Sequence, residues 1–280
     1  MRWRLAAALT GLLAGAAGAG APAPQQVRFD SLDGTPLTAS VFLPAGATRG
    51  AVVALHGCGG LYARHGERAG SLNARHQAMA DLLLGQGYAV VFPDSLTPRG
   101  ENELCTQRIA SRRIGQFARR ADALAALDWV AAQPWADPQR IALLGWSHGG
   151  SAVLAATDRA RPPVRHHAVR PAVAIAFYPG CRTALYDGYQ PSAPLVLMLA
   201  EHDDWTAPEP CIELGRVAAA EVHVFRDSFH DFDNPKGSVR LRRDVPNGVH
   251  PGRGVHAGPN PTARDQAYAR VVEALARAFR

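Results

Sequence analysis

Short, unbroken apolar runs alternate with segments of helical spacing through most of this chain. Residues 51–55 (Ala-Val-Val-Ala-Leu), 88–92, 140–144, 172–177 and 195–199 are nearly all apolar. A strand wetted on one face would alternate with period two, so these runs predict strands covered on both faces, as in a parallel sheet. Two earlier segments, 26–29 and 37–43, read differently. In the second, Leu37, Ala39, Val41 and Leu43 share one face. A turn at Asp33-Gly34 joins the two, which predicts an antiparallel pair opening the sheet. Residues 221–225 form the last predicted strand.

Helices are predicted between these strands. Residues 75–84 put Met79, Leu82 and Leu83 on one side and end at Gly85 and Gly87. Residues 111–133 carry an apolar stripe at Leu124, Leu127 and Ala131, and Pro134 stops them. Shorter helices are expected at 151–156 and 212–220. The last, 263–279, spaces Tyr268, Val271, Val272, Leu275 and Phe279 for packing on the sheet. Residues 93–108 and the Pro/Gly-rich stretch 234–261 have no period; irregular connections that long are usually functional. The pattern predicts an α/β fold: a mostly parallel central sheet of about eight strands with helices on both faces.

Composition adds limits. With 280 residues and 47% hydrophobic content, the chain can bury one substantial core, expected as a single domain over 22–280. The N-terminus stands apart. Met1-Arg2-Trp3-Arg4 is basic, residues 5–19 are apolar, and small residues repeat to Ala21. That is the pattern of a secretory signal over about residues 1–21, too short and Gly-rich for a bilayer span. Export is expected, to a periplasm or beyond, without stable membrane insertion. The net charge of +6 is carried by arginine, with Lys236 the only lysine. Arg240, Arg242 and Arg243 are its densest cluster, but no recognition fold accompanies them, so nucleic acid is not an expected partner. Four cysteines, Cys58, Cys105, Cys181 and Cys211, suit an oxidising compartment and match no zinc spacing. Oligomeric state is not legible in these patterns.

The chemistry centres on Gly145-Trp146-Ser147-His148-Gly149-Gly150. An apolar strand precedes it and a small-residue helix follows. Gly-x-Ser-x-Gly in that setting reads as a nucleophile elbow, a sharp turn that lifts a serine hydroxyl above the sheet. Strand and helix pass so close there that the flanking positions must lack side chains. A serine hydroxyl needs a base, an imidazole can be that base near neutral pH, and a carboxylate orients the imidazole. His230 follows the last strand, and Asp203 and Asp204 follow residues 195–199. Either aspartate could instead cap the turn at Trp205. His223 lies mid-strand and is a poorer base. The oxyanion needs two backbone N–H groups; His148, after the nucleophile, and Cys58, in His56-Gly57-Cys58, are the candidates. His56 is read as support for that loop. His166, His167, His250 and His256 read as surface residues, since no acidic cluster accompanies them. The order Ser, Asp, His is the one associated with α/β-hydrolases.

Several segments together carry a resemblance: His56-Gly57-Cys58-Gly59-Gly60, the Ser147 elbow, Tyr178-Pro179-Gly180-Cys181, Asp203-Asp204-Trp205-Thr206 and Phe229-His230-Asp231-Phe232. From about Val27 onward the chain resembles the dienelactone hydrolase family of α/β-hydrolases. The resemblance implies hydrolysis of a small-molecule ester or lactone through an acyl-enzyme, with no cofactor or metal. The namesake enzymes carry a cysteine nucleophile where this chain has Ser147, so the likeness is to the wider family. A peptidase or acyltransferase on the same three residues is a second reading, and a non-catalytic binding protein a third. The family's motif puts the acid at Asp203, whereas counting back from Pro208 puts it at Asp204. Asp203 is preferred, because an extra residue is absorbed easily in the loop before Pro208, whereas a shift at the strand end turns the side chain to the other face. The usual strand order of this fold further implies disulfides Cys58–Cys105 and Cys181–Cys211.

Overall fold

The unbroken apolar runs become the middle of one sheet. In the computed structural model, which describes residues 24–64, 66 and 69–280, eight strands join: β1 Gln25–Asp30, β2 Pro36–Phe42, β3 Ala51–Leu55, β4 Ala89–Asp94, β5 Ile141–Trp146, β6 Val173–Phe177, β7 Leu195–Ala200 and β8 Glu221–Phe225. Their order is β1-β2-β4-β3-β5-β6-β7-β8. The β1–β2 and β2–β4 pairs are antiparallel and the remaining pairs parallel. Every residue of β3 to β7 is buried, while the edge strands β1 and β8 are partly wet. That is why the first read as continuous and the edges did not.

Each central strand feeds two cores, because side chains alternate across a strand. Val52 and Ala54 join Phe92, Trp146 and Phe177 under helices α1 (Ala74–Gly85) and α7 (Pro261–Ala278). Ala51, Val53 and Leu55 face the other way. They pack with Leu124 and Leu127 of α2 (Gln116–Ala131), Val153 of α3 (His148–Ala156) and Leu214 of α6 (Glu209–Ala218). Side-chain caps start the two helices of the first layer: Asn73 accepts from the His76 N–H, and Asn260 from the Ala263 N–H, ahead of Pro261. The carboxyl ends of β3, β5, β7 and β8 open on one edge of the sheet, where open α/β sheets hold their ligands.

Some elements differ from the sequence-based expectation. The long helix predicted from 111 begins at Gln116. Before it come a 3₁₀ turn, Ile109–Ser111, and buried Ile114, which packs in a small cluster with Cys58, Leu104 and Cys105. Helix α3 starts directly after Ser147 and includes Gly149 and Gly150 despite their poor propensity; packing overrides it. Helix α6 starts earlier than predicted, at Glu209 with Pro208 as its cap. Two short helices, α4 (Pro162–Arg165) and α5 (Arg182–Tyr186), were not predicted. The stretch 234–261 holds a hairpin, β9 (Arg240–Arg242) with β10 (Val255–Ala257), whose three-residue strands are too short to show a period. The cysteines pair as Cys58–Cys105 and Cys181–Cys211, as expected. The signal segment read over 1–21 lies outside the described residues. Among the described residues, no helix is long and apolar enough to cross a membrane.

Candidate active site

The turn after β5 is as tight as the glycine pattern required. Ser147 adopts φ 51°, a left-handed conformation rare for a side-chain-bearing residue. Its N–H donates to the Phe177 carbonyl at 2.9 Å. A Cβ on Gly149 would lie 2.1 Å from the Leu55 oxygen, and one on Gly145 would lie 2.5 Å from the Gly149 oxygen. Both are far inside contact distance, so β3, β5 and α3 can meet only if these residues are glycine.

Ser147, His230 and Asp203 come together from three strand ends. His230 Nε2 lies 2.9 Å from Ser147 Oγ, and His230 Nδ1 lies 2.8 Å from Asp203 Oδ2. With Nδ1–H donating to the carboxylate, Nε2 is left to accept from the serine hydroxyl. Asp203 also accepts at Oδ1 from the Trp205 and Thr206 N–H groups, at 2.9 and 2.8 Å. The expected alternative, a capping role, is thus real, and the same side chain fills both roles. Thr206 Oγ1 lies 3.0 Å from Asp203 Oδ2 and 3.2 Å from His230 Nδ1. The indole of Trp205 and the ring of Tyr178 flank the imidazole, with centroids 4.6 and 4.4 Å away.

Asp204 turns away. Its Oδ1 accepts from the His256 N–H and its Oδ2 meets His256 Nδ1, both at 2.7 Å. His256 sits on β10, whose neighbour Ala257 bridges to His230, and the Gly258 N–H donates to the His230 carbonyl at 2.8 Å. The hairpin of the long connection therefore holds the main chain of the histidine loop, and Asp204 holds the hairpin.

A second polar group sits behind the imidazole. Arg75 Nη1 donates to Asp231 at 2.5 Å and to the Tyr178 hydroxyl at 2.6 Å. The Tyr178 hydroxyl donates in turn to Asp233, which also accepts from the Trp146 indole at 2.7 Å. Burial pushes the Asp231 carboxyl up, but Arg75, His230 and Arg242 together outweigh it and hold the group below its ordinary value. Burial dominates at Asp233 and raises it, with Arg75 opposing. Tyr178 and Asp231 both have positive φ, 36° and 66°, so this network pins two strained residues beside His230.

The Cys58 loop runs over the serine. A Cβ on Gly57 would lie 3.7 Å from Ser147 Cβ. Cys58 is tied to Cys105, and its carbonyl accepts from the Leu104 N–H at 2.8 Å. His56 is fully buried, and burial, then the Arg119 charge, push its pKa well below the ordinary value. As a neutral ring it donates from Nδ1 to the Gly57 carbonyl at 2.8 Å and accepts at Nε2 from the Ser95 N–H at 3.2 Å. It therefore stands as loop support, as expected. His167 lies 3.1 Å from Asp128 and His223 2.7 Å from Glu221, both away from Ser147.

Sequence reasoning did not single out Thr206, Tyr178, Arg75, Asp233 or Arg119. Thr206 had a signal, since Asp-x-x-Thr is a local side-chain-to-backbone turn. Tyr178 and Asp233 lie in or beside the quoted motifs. Arg75 and Arg119 look like ordinary helix arginines, and only burial separates them.

Comparison with known proteins bears on the family and the fold. The profile of the dienelactone hydrolase family matches residues 37–279. No curated protein matches the sequence. Among solved structures, m3DLH superposes with a TM-score of 0.66 at 20% identity, covering 93% of this chain and 100% of its own. A dienelactone hydrolase-like promiscuous phosphotriesterase from metagenomic libraries gives 0.61 at 17%, covering 92% and 99%. Thermogutta terrifontis esterase 2, phosphoramylated by tabun, gives 0.58 at 18%, covering 91% and 94%. At such identities the structural likeness speaks for the α/β-hydrolase fold alone, and the family profile over most of the chain carries the assignment. The chain belongs to the dienelactone hydrolase family, as a carboxylic ester hydrolase of the α/β-hydrolase fold.

Proposed function

We propose that this protein is an exported serine hydrolase that cleaves small carboxylic esters or lactones through an acyl-enzyme. Ser147 Oγ attacks the carbonyl carbon while His230 Nε2 takes its proton. The imidazolium then gives that proton to the leaving alkoxide, and the acyl group stays on Ser147. Water, deprotonated by the same nitrogen, attacks the acyl-enzyme and releases the acid. Asp203 keeps His230 in the productive tautomer. The Cys58 and His148 N–H groups receive the oxyanion. Two disulfides near the site favour export from a reducing cytoplasm.

The observation that supports this most is the unbroken hydrogen-bonded series Ser147–His230–Asp203, at 2.9 and 2.8 Å and buried. The test is Ser147→Ala. The variant should fold, lose p-nitrophenyl ester turnover by at least about ten-thousand-fold, and no longer take up a fluorophosphonate. Labelling retained in Ser147→Ala would place the nucleophile elsewhere.

A further inference from the structure

Arg119 is a buried arginine that the polar group around Arg75 does not include. It lies one turn before Ala123 on the buried side of α2, and is 1% exposed. Its Nη1 donates to His148 Nδ1 at 3.3 Å, while its Nε and Nη2 have no hydrogen-bond partner among the described residues. Two carboxylates lie near enough to act on its charge, Asp122 and Asp94. Neither is its partner. Asp122 is held in a two-bond fork by Arg99, at 2.7 and 3.0 Å. Asp94 accepts from the Leu96 and Thr97 N–H groups and the Thr97 hydroxyl. A buried guanidinium without a dedicated carboxylate is costly and uncommon.

The charge touches one of the two segments that flank Ser147 and is felt in the other. It acts on His56, which opens the Cys58 loop, and on His148, the first residue of α3. Burial, then the charges of Arg119 and Arg112, push the His148 pKa well below its ordinary value. Neutral His148 can then accept from Arg119, which fixes its ring and the start of the helix. Burial pushes Arg119 itself down to about 10, which leaves it cationic at neutral pH.

We propose that Arg119 is a positioning residue for the oxyanion: it acts through His148, and its charge, which no carboxylate hydrogen-bonds, favours the negative oxygen that forms when Ser147 attacks. This rests on the serine-hydrolase reading above. A fixed charge in a water-poor site needs no reorganisation as the oxyanion grows, so its effect belongs to the transition state. The ground-state ester, being neutral, feels it far less.

Arg119→Gln removes the charge and, because its amide reaches only as far as the arginine Nε, the hydrogen bond to His148 Nδ1 as well. Arg119→Lys keeps the charge. On a p-nitrophenyl ester, Gln should lower kcat about ten-fold with KM changed less than about two-fold, while Lys stays within about three-fold of wild type. Affinity for phenylboronic acid, which becomes a tetrahedral anion on the serine, should fall in step with kcat in the Gln variant and hold in the Lys variant. If Gln does not fold, Arg119→Met takes its place with the same expectation. Wild-type kcat in the neutral variant, equal losses in Gln and Lys, or an unchanged boronate affinity would each overturn the proposal. A wild-type enzyme that neither turns over esters nor takes up a fluorophosphonate would instead overturn the function on which it rests.

Discussion

Two adjacent aspartates each hold a histidine, and the two pairs differ in almost nothing but their surroundings. Asp203 meets His230 at 2.8 Å, and Asp204 meets His256 at 2.7 Å. The first pair is 1% exposed on both sides; in the second the histidine is 44% and the aspartate 31% exposed. Asp203 accepts two backbone N–H groups and lies beside the Thr206 hydroxyl, and its histidine lies between Tyr178 and Trp205. Asp204 has His256 and solvent. A contact distance therefore says little about what a charge pair does. Out of water, the carboxylate can direct a proton on the imidazole, whereas in water the same contact is screened and serves as a clip on a hairpin.

The largest expected effect breaks the buried pair. Asp203→Asn should lower kcat by up to about ten-thousand-fold with little change in KM, because the amide favours the wrong imidazole tautomer. Steady-state kinetics on one ester decides it. A crippled Asp204→Asn beside a near-normal Asp203→Asn would reverse the assignment. Next in size is Thr206→Val, which keeps the shape and removes the hydroxyl between Asp203 and His230. It should cost about ten-fold in kcat, since it leaves a buried acceptor less satisfied. A variant indistinguishable from wild type would show that the two backbone N–H groups suffice to hold the carboxylate.

Asp204→Asn should cost less: about 1 kcal/mol or below in denaturant midpoint, and less than about three-fold in kcat. The kinetic loss, where present, should come from a loosened hairpin that no longer fixes the His230 main chain. The smallest effect sharpens the contrast through salt. In a double-mutant cycle, the Asp204–His256 coupling should be about 0.5 kcal/mol and fade toward zero near about 1 M salt. The kinetic coupling of Asp203 and His230 should not fade. Equal salt sensitivity in both pairs would mean that burial is not what distinguishes them.

Much of this was legible before any coordinates. The unbroken runs at 51–55 and 195–199 declared buried parallel strands, because only a strand covered on both faces can be apolar at every position. The glycines around Ser147 declared a close approach, and the Cβ positions at Gly145 and Gly149 show how close. Short elements were not legible. The three-residue strands of the β9–β10 hairpin are shorter than one reading of any period, and the first turn of α3 carries two glycines that propensity alone would leave out.

What the sequence determined by itself was the sheet, the elbow and a set of residue types in the right order: Ser147, an aspartate pair and His230. What only the tertiary structure decided was which member of each set is buried, and against what. Asp203 and Asp204 are the same residue one place apart, and Arg75 and Arg119 look in the sequence like any other helix arginine. Their chemistry differs because the electrostatic worth of a charge depends on the water around it, and that depends on packing between segments far apart in the chain. Local pattern sets which face a side chain leaves from, while the neighbours it meets there, His148 for Arg119 and His256 for Asp204, come from elsewhere in the fold.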